Sequence, residues 1–318
     1  MEEENKKLTP MKFLSETREM PWGTLEYKLA DLGFVDSLAC EGWLAGNNLS
    51  DIMQTYLDRV VGETSFDWYG TQFPVMVKRL QVKGRKSLHV NPDDESAEQR
   101  YDAFGKTALW YVEEAGENAR LYLGFKEAVS AENFYRACMD EKVEPLLNGI
   151  KPRVGESYLI PPGMVHAAQD VTLIEVAECS ELWFRLYDWG PTDRELHLEE
   201  SFDLIDLRPW KKHPAGPGGI LAATPQFTAT RIQLKDALKI HRDEEDTFLL
   251  YLGLKGKAAV QESGVAYRLK ADELVLVPAD VSDFCIIPEE KGTELLEVRM
   301  DPRPDDDLVS EPVDEDAL

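Results

Sequence analysis

The chain lacks the features that mark several protein classes. No apolar run approaches the roughly 20 residues that a membrane-spanning helix requires, which argues against a membrane protein. Cysteine is scarce and scattered: Cys40, Cys138, Cys179 and Cys285 contain no C-x-x-C pair. Neither a disulfide framework nor a zinc ribbon is encoded, and the thiols read as reduced residues of a cytoplasmic protein. The opening M-E-E-E-N-K-K has no apolar core of the kind a secretory signal needs. Positive charge is in deficit, with 35 Lys and Arg against 60 Asp and Glu and a net charge of -25. Such a chain repels nucleic acid and anionic membrane, so neither is an expected partner. Part of the excess sits in the final stretch, residues 301–318, which reads as a solvated acidic tail without fixed structure.

At 318 residues there is enough chain for two domains, each with its own core. Strand-like runs rich in β-branched and aromatic residues dominate: 73–80, 108–112, 119–125, 157–160 and 172–177, most of them separated by turn formers. Two helices are expected. One lies within 47–61, with Ser50 or Asp51 as its cap and Ile52, Tyr56, Leu57 and Val60 on one face; the other spans 130–139 with Ser130 as its cap. A Pro/Gly-rich stretch, 211–220, reads as a linker or long turn. Beyond it a second β-rich block repeats the first, with A-D-E-L-V-L-V-P-A-D echoing an earlier G-E-S-Y-L-I-P-P-G. The expected division is 1–205, 206–300 and the tail 301–318.

The most informative stretch is Gly155 to His166, spaced G-x5-P-x-G-x2-H. Its glycines permit turns that other residues resist, its prolines end a strand, and its histidine follows a rigid corner. This resembles the second signature motif of the cupins, which implies a mainly β fold of two cupin-type barrels (jelly rolls) with a few short helices. The second block has Ala271 and Asp280 in place of glycines and no following histidine, so it is expected to be a barrel without a metal. His241, His197 and His213 are expected at the surface.

Other segments in order extend the resemblance: F-P-V-M-V-K-R-L, then S-L-H-V-N-P-D-D-E, F-G-K-T-A-L-W-Y-V, I-E-V-A-E and W-F-R-L-Y-D-W. Together they resemble the class I mannose-6-phosphate isomerases, zinc-dependent cupin enzymes, most firmly from Pro74 to His197. The resemblance implies an aldose–ketose isomerase acting on a sugar phosphate, with proton transfer through an enediol at a metal-assisted site. It also implies zinc ligands from Q-x-H-P-D-D, from the glutamate of G-K-T-E and from the corner histidine. This chain departs at those positions. His89 replaces the glutamine, Asn91 the histidine and Ala108 the glutamate, while His166 is retained. The implied metal set is His89, His166 and the weak donor Asn91, holding zinc or another divalent ion feebly or not at all. Glu175, Arg185 and Lys106 match family positions for an active-site acid, a catalytic or phosphate-binding arginine and a substrate-facing lysine. Glu175 and Arg185 could instead pair with each other across strands. Lys78 reads as a solvated strand residue. The other function open to such a chain is non-catalytic binding of a sugar or sugar phosphate.

Overall fold

The structure, a computed structural model, describes residues 6–190, 192–243 and 247–301. Nearly all of the expected acidic tail therefore lies outside the described residues. The fold is mainly β, as expected. In the first half, β1 (Glu16–Met20), β2 (Gly23–Leu29), β3 (Val75–Arg85), β4 (Leu88–Val90), β5 (Ala108–Phe125), β6 (Leu147–Ile150), β7 (Ser157–Ile160), β8 (His166–Glu178) and β9 (Phe184–Tyr187) form one antiparallel sheet. Its spine is β1-β2-β3-β8-β4-β9, and the long β5 pairs with β6, β7 and β8 to complete a barrel wall.

Strand alternation explains where the barrel core sits. On β3, Met76, Leu80 and Val82 face one core with Trp110, Val112, Leu173 and Ala177, while Val75 and Val77 face another. The second face is covered by the short helices α1 (Leu49–Tyr56), α2 (Asp58–Val61) and α3 (Glu63–Tyr69), and by residues of the second half such as Phe227 and Phe248. Of the remaining helices, α4 (Asp94–Tyr101), α5 (Ala131–Met139) and α6 (Leu198–Ser201), α5 is capped by Ser130, whose hydroxyl accepts from Asn133 N at 3.2 Å. The first helix begins two or three residues earlier than its sequence suggests, with Asn48 rather than Ser50 or Asp51 at the cap, and Leu57, with a positive φ of 51°, separates it from α2.

The second half holds a five-stranded and a four-stranded antiparallel sheet. The first runs in the order β10 (Ile220–Ala223), β11 (Thr228–Leu234), β18 (Thr293–Arg299), β13 (Leu249–Lys255), β16 (Leu274–Val277). The second runs β12 (Leu238–His241), β17 (Asp283–Pro288), β14 (Lys257–Glu262), β15 (Val265–Lys270). They enclose Tyr251, Val260, Leu269, Val275 and Ile286. At the repeated turn Asp272 takes the left-handed conformation (φ 69°), which aspartate tolerates better than most residues. Asp280 has become a docking point, accepting from Leu8 N and Arg59 Nη2.

The corner before His166 is held from both sides. Gly155 and Gly163 have φ of 85° and 79°. Gly163 N donates to Asn91 O, and its carbonyl accepts from Asp206 N, both at 2.9 Å. A Cβ at Gly163 would lie 2.8 Å from Leu204 O, whereas one at Gly155 would meet nothing nearer than Arg231 Nη1 at 3.5 Å. Gly163→Ala should therefore combine backbone strain with a backbone clash and cost about 2–4 kcal/mol, against about 1 kcal/mol for Gly155→Ala. Urea unfolding of the two variants checks the order; equal losses would refute the role given to Leu204.

Candidate functional site

Two rows of side chains meet in the first barrel. In the first, three adjacent strands align Lys78 (β3) with Glu175 (β8) and Glu175 with Trp110 (β5). Lys78 Nζ lies 2.8 Å from a Glu175 oxygen and 2.6 Å from Glu181. Trp110 Nε1 donates to the other Glu175 oxygen at 2.7 Å, and Lys106 Nζ stands 3.9 Å from both carboxylates. Burial pushes the Glu175 carboxyl up, but Lys78 and Lys106 outweigh it and hold the group well below the usual carboxylate range. Burial likewise opposes charge on Lys78, yet Glu175 and Glu181 raise its amine above the ordinary value. Burial prevails at Lys106 and lowers it.

The second row aligns Arg185 (β9) with His89 (β4) and His89 with His166 (β8). The two imidazoles stand edge to face, with ring centres 6.2 Å apart. Trp110 links the rows, since its ring also packs against His166 at 5.4 Å. Nine residues separate His166 from Glu175, an odd spacing that a regular strand would send to opposite faces. Strand β8 breaks phase at Asp170 (φ 49°), where its pairing with β3 and β5 shifts register. Before the break the interior residue is Ala168; after it the interior residues are Val171 and Leu173.

The two histidines differ in their hydrogen bonding. His166 Nδ1 donates to Met164 O at 2.9 Å, which leaves Nε2 with a free lone pair. His89 Nδ1 instead faces Lys86 Nζ at 2.6 Å, and its Nε2 is buried with no hydrogen-bond partner among the described residues. Burial first, then the Lys86 charge, lowers both imidazoles, His166 to about 3 and His89 well below its ordinary value. Burial also pulls Lys86 down to about 7. His89 stacks on Trp183 with ring centres 4.3 Å apart.

The remaining expected residues sit around these rows. Asn91 is buried and its amide donates to Lys106 O at 3.3 Å. Ala108 is buried and contributes no donor. Arg185 does not pair with Glu175: its guanidinium donates to Glu195 O at 2.9 Å and lies over Trp183. His197 is half-buried rather than on the surface, its Nδ1 accepting from Arg185 N at 3.0 Å, whereas His241 is exposed beside Asp283. Lys78, expected in solvent, is buried at the centre of the ion-pair cluster. Its sequence signal was its place on the apolar face with Met76, Leu80 and Val82. Lys86, Trp110 and Glu181 were also missed.

This geometry falls short of a zinc site. Among the described residues no group of three or more His, Cys, Asp or Glu side chains is arranged to hold a metal ion. Zinc ordinarily takes at least three protein ligands, and the charges of Lys86 and Lys106 bear on both imidazoles. The arrangement instead suits an anion, with Lys78, Lys86, Lys106 and Arg185 set against Glu175 and Glu181. A separate cavity of about 830 Å³ borders Glu181 but not the histidines; its Asp31, Asp94, Glu98 and Asp102 make it acidic.

No family model matches the chain. A mannose-6-phosphate isomerase of Streptococcus mutans is 28% identical over 217 residues, covering 64% of this chain and 68% of that protein. The crystal structure of the Bacillus subtilis mannose 6-phosphate isomerase superposes with a TM-score of 0.80 at 22% identity, over 92% of this chain and 100% of that one. The chain is a homologue of mannose-6-phosphate isomerases. A zinc-bound mannose 6-phosphate isomerase also shares the fold, with a TM-score of 0.75 at 14% identity, covering 92% of this chain and 100% of that one. Zinc therefore occurs in a protein of this fold.

No helix among the described residues is long and apolar enough to cross a membrane.

Two predictions follow from the buried charges. Lys78→Met leaves Glu175 and Glu181 with only the more distant Lys106 and should cost about 3–5 kcal/mol; adding Glu175→Gln should recover part of the loss in urea unfolding. Glu178 concerns pH. It is buried, accepts from Tyr69 Oη at 3.0 Å and Thr107 N at 2.8 Å, and burial pushes its carboxyl up to about 7. The folded state thus holds this proton more tightly than the unfolded chain. Its contribution favours folding at low pH and is withdrawn as pH rises from the unfolded value of 4.5 to about 7. The full effect is on the order of 3 kcal/mol. Unfolding at pH 5 and pH 8 should show a smaller difference in Glu178→Gln than in the parent protein.

Proposed function

We propose that the protein is an aldose–ketose isomerase that interconverts mannose 6-phosphate and fructose 6-phosphate. Homology to mannose-6-phosphate isomerases supports the reaction class. The observation that carries the reading is the buried cluster of Lys78 and Lys106 against Glu175 and Glu181, with Lys86 against His89 and Arg185 one strand beyond it.

In this reading Arg185 anchors the phosphate, since a guanidinium matches phosphate oxygens in geometry as well as charge. Lys106, its amine lowered by burial, passes the proton between adjacent sugar carbons, because an amine nearer neutrality exchanges protons more readily. Glu175 stays ionised and serves as the counter-charge beside it. No step is assigned to a metal: with Ala108 and Asn91 at two of the three remaining donor positions, zinc or another divalent ion is held weakly or not at all. The shortage of metal donors also favours a second reading, a non-catalytic sugar-phosphate-binding protein.

The test is interconversion of mannose 6-phosphate and fructose 6-phosphate, assayed with zinc, manganese, cobalt and EDTA in turn. Turnover should be present and should fall by about 10²–10⁴-fold in Lys106→Met, while Arg185→Met should act mainly on KM. Binding without turnover under every condition would overturn the isomerase reading in favour of the second.

A further inference from the structure

The contact between Lys86 and His89 gives the site a property that neither residue has alone. Lys86 lies in the turn between β3 and β4, fixed by its backbone: its N–H donates to Ala168 O at 2.8 Å and its carbonyl accepts from Trp189 Nε1 at 2.7 Å. From this anchored position its amine reaches His89 Nδ1 at 2.6 Å. A protonated lysine amine has only N–H groups to give, so beside the charged form of Lys86 Nδ1 is the acceptor and the ring proton belongs on Nε2. Neither nitrogen of His89 then offers a lone pair to a metal. Nε2–H becomes a buried donor with no partner among the described residues. Leaving such a donor unpaired costs on the order of 1–3 kcal/mol, which a ligand oxygen would relieve. His166, one strand away, holds the opposite tautomer through Met164 O.

We propose that Lys86 converts His89 from a metal ligand into a hydrogen-bond donor, so that the site grips the oxygens of an anionic sugar through Lys86 and His89 Nε2–H with no resident divalent ion. Lys86 is in this respect a positioning residue acting through His89, and its cation stands where the family relies on a metal. The ligand class rests on the sugar-phosphate reading above; the tautomer and the metal content do not.

The experiment has three readouts on the full-length protein. Metal analysis of untreated protein should find well below one zinc per chain. Long-range ¹H–¹⁵N spectra of histidine-labelled protein should show His89 protonated at Nε2 and His166 at Nδ1. Calorimetric titration with mannose 6-phosphate in EDTA should show binding that weakens roughly tenfold or more in Lys86→Met, the loss of one charge-assisted contact. Lys86→Arg, which keeps a charge and N–H donors, should restore most of it. His89→Phe, which keeps the stacking on Trp183, should weaken binding without raising metal content. One bound zinc per chain with chelator-sensitive binding would overturn the proposal, as would a His89 proton on Nδ1 or unchanged affinity in a folded Lys86→Met. If Lys86→Met does not fold, the tautomer and Lys86→Arg decide. Chelator-insensitive binding without isomerisation would sink the isomerase reading and leave this proposal standing. Isomerisation that requires stoichiometric zinc would do the reverse.

Discussion

The buried pairing of Lys78 with Glu175 is the constraint on which the site depends. Removing either ion from water costs several kcal/mol, and only a close partner of opposite sign repays it. Here the repayment comes from contacts of 2.8 Å to Glu175 and 2.6 Å to Glu181, with Trp110 satisfying the second Glu175 oxygen at 2.7 Å. Because strand faces alternate, a one-residue slip between β3 and β8 would turn Lys78 or Glu175 out of the barrel and break their 2.8 Å contact. The ion pair thus specifies register as well as charge. Once β3 and β8 are in register, the turn after β3 brings Lys86 and His89 opposite His166.

The phase break at Asp170 is the second requirement. Without it, a strand carrying Glu175 inward would carry His166 to the opposite face. Its left-handed backbone and the extra residues on β3 and β5 at that point let one strand serve both rows. Trp110 then touches both, donating to Glu175 and packing on His166. The two rows therefore share one desolvated environment, which is why burial heads the causes acting on His89, His166, Lys86 and Lys106 alike.

Much of this was legible in the sequence where a residue type had a backbone reason to be there. Gly163 occupies a left-handed position with no room for a Cβ, so the corner before His166 could be read from spacing. The Ser130 cap was legible for a similar local reason. Lys78 was misread because a lone lysine in a strand is usually solvated, and its apolar-face neighbours Met76 and Leu80 were not weighed against that habit. Lys86 left no local signal: it lies in a turn, and its target is created by how β4 folds against β8. Arg185 and Glu175 were thought able to pair, but they belong to different rows, and each found a nearer partner.

The remaining tension is between a chain with a net charge of -25 and an anionic ligand. Screening over about 8 Å at physiological salt confines most surface repulsion to the approach. At contact the balance reverses, because Lys78, Lys86, Lys106 and Arg185 outnumber Glu175 and Glu181 in an environment where charges are poorly screened. The acidic cavity beside Glu181 works against that balance, so entry past Asp94 and Glu98 would oppose a phosphate. An amine in place of a metal is consistent with the same economy of charge: it supplies positive potential to the ligand without requiring the carboxylate ligands that would cancel part of it.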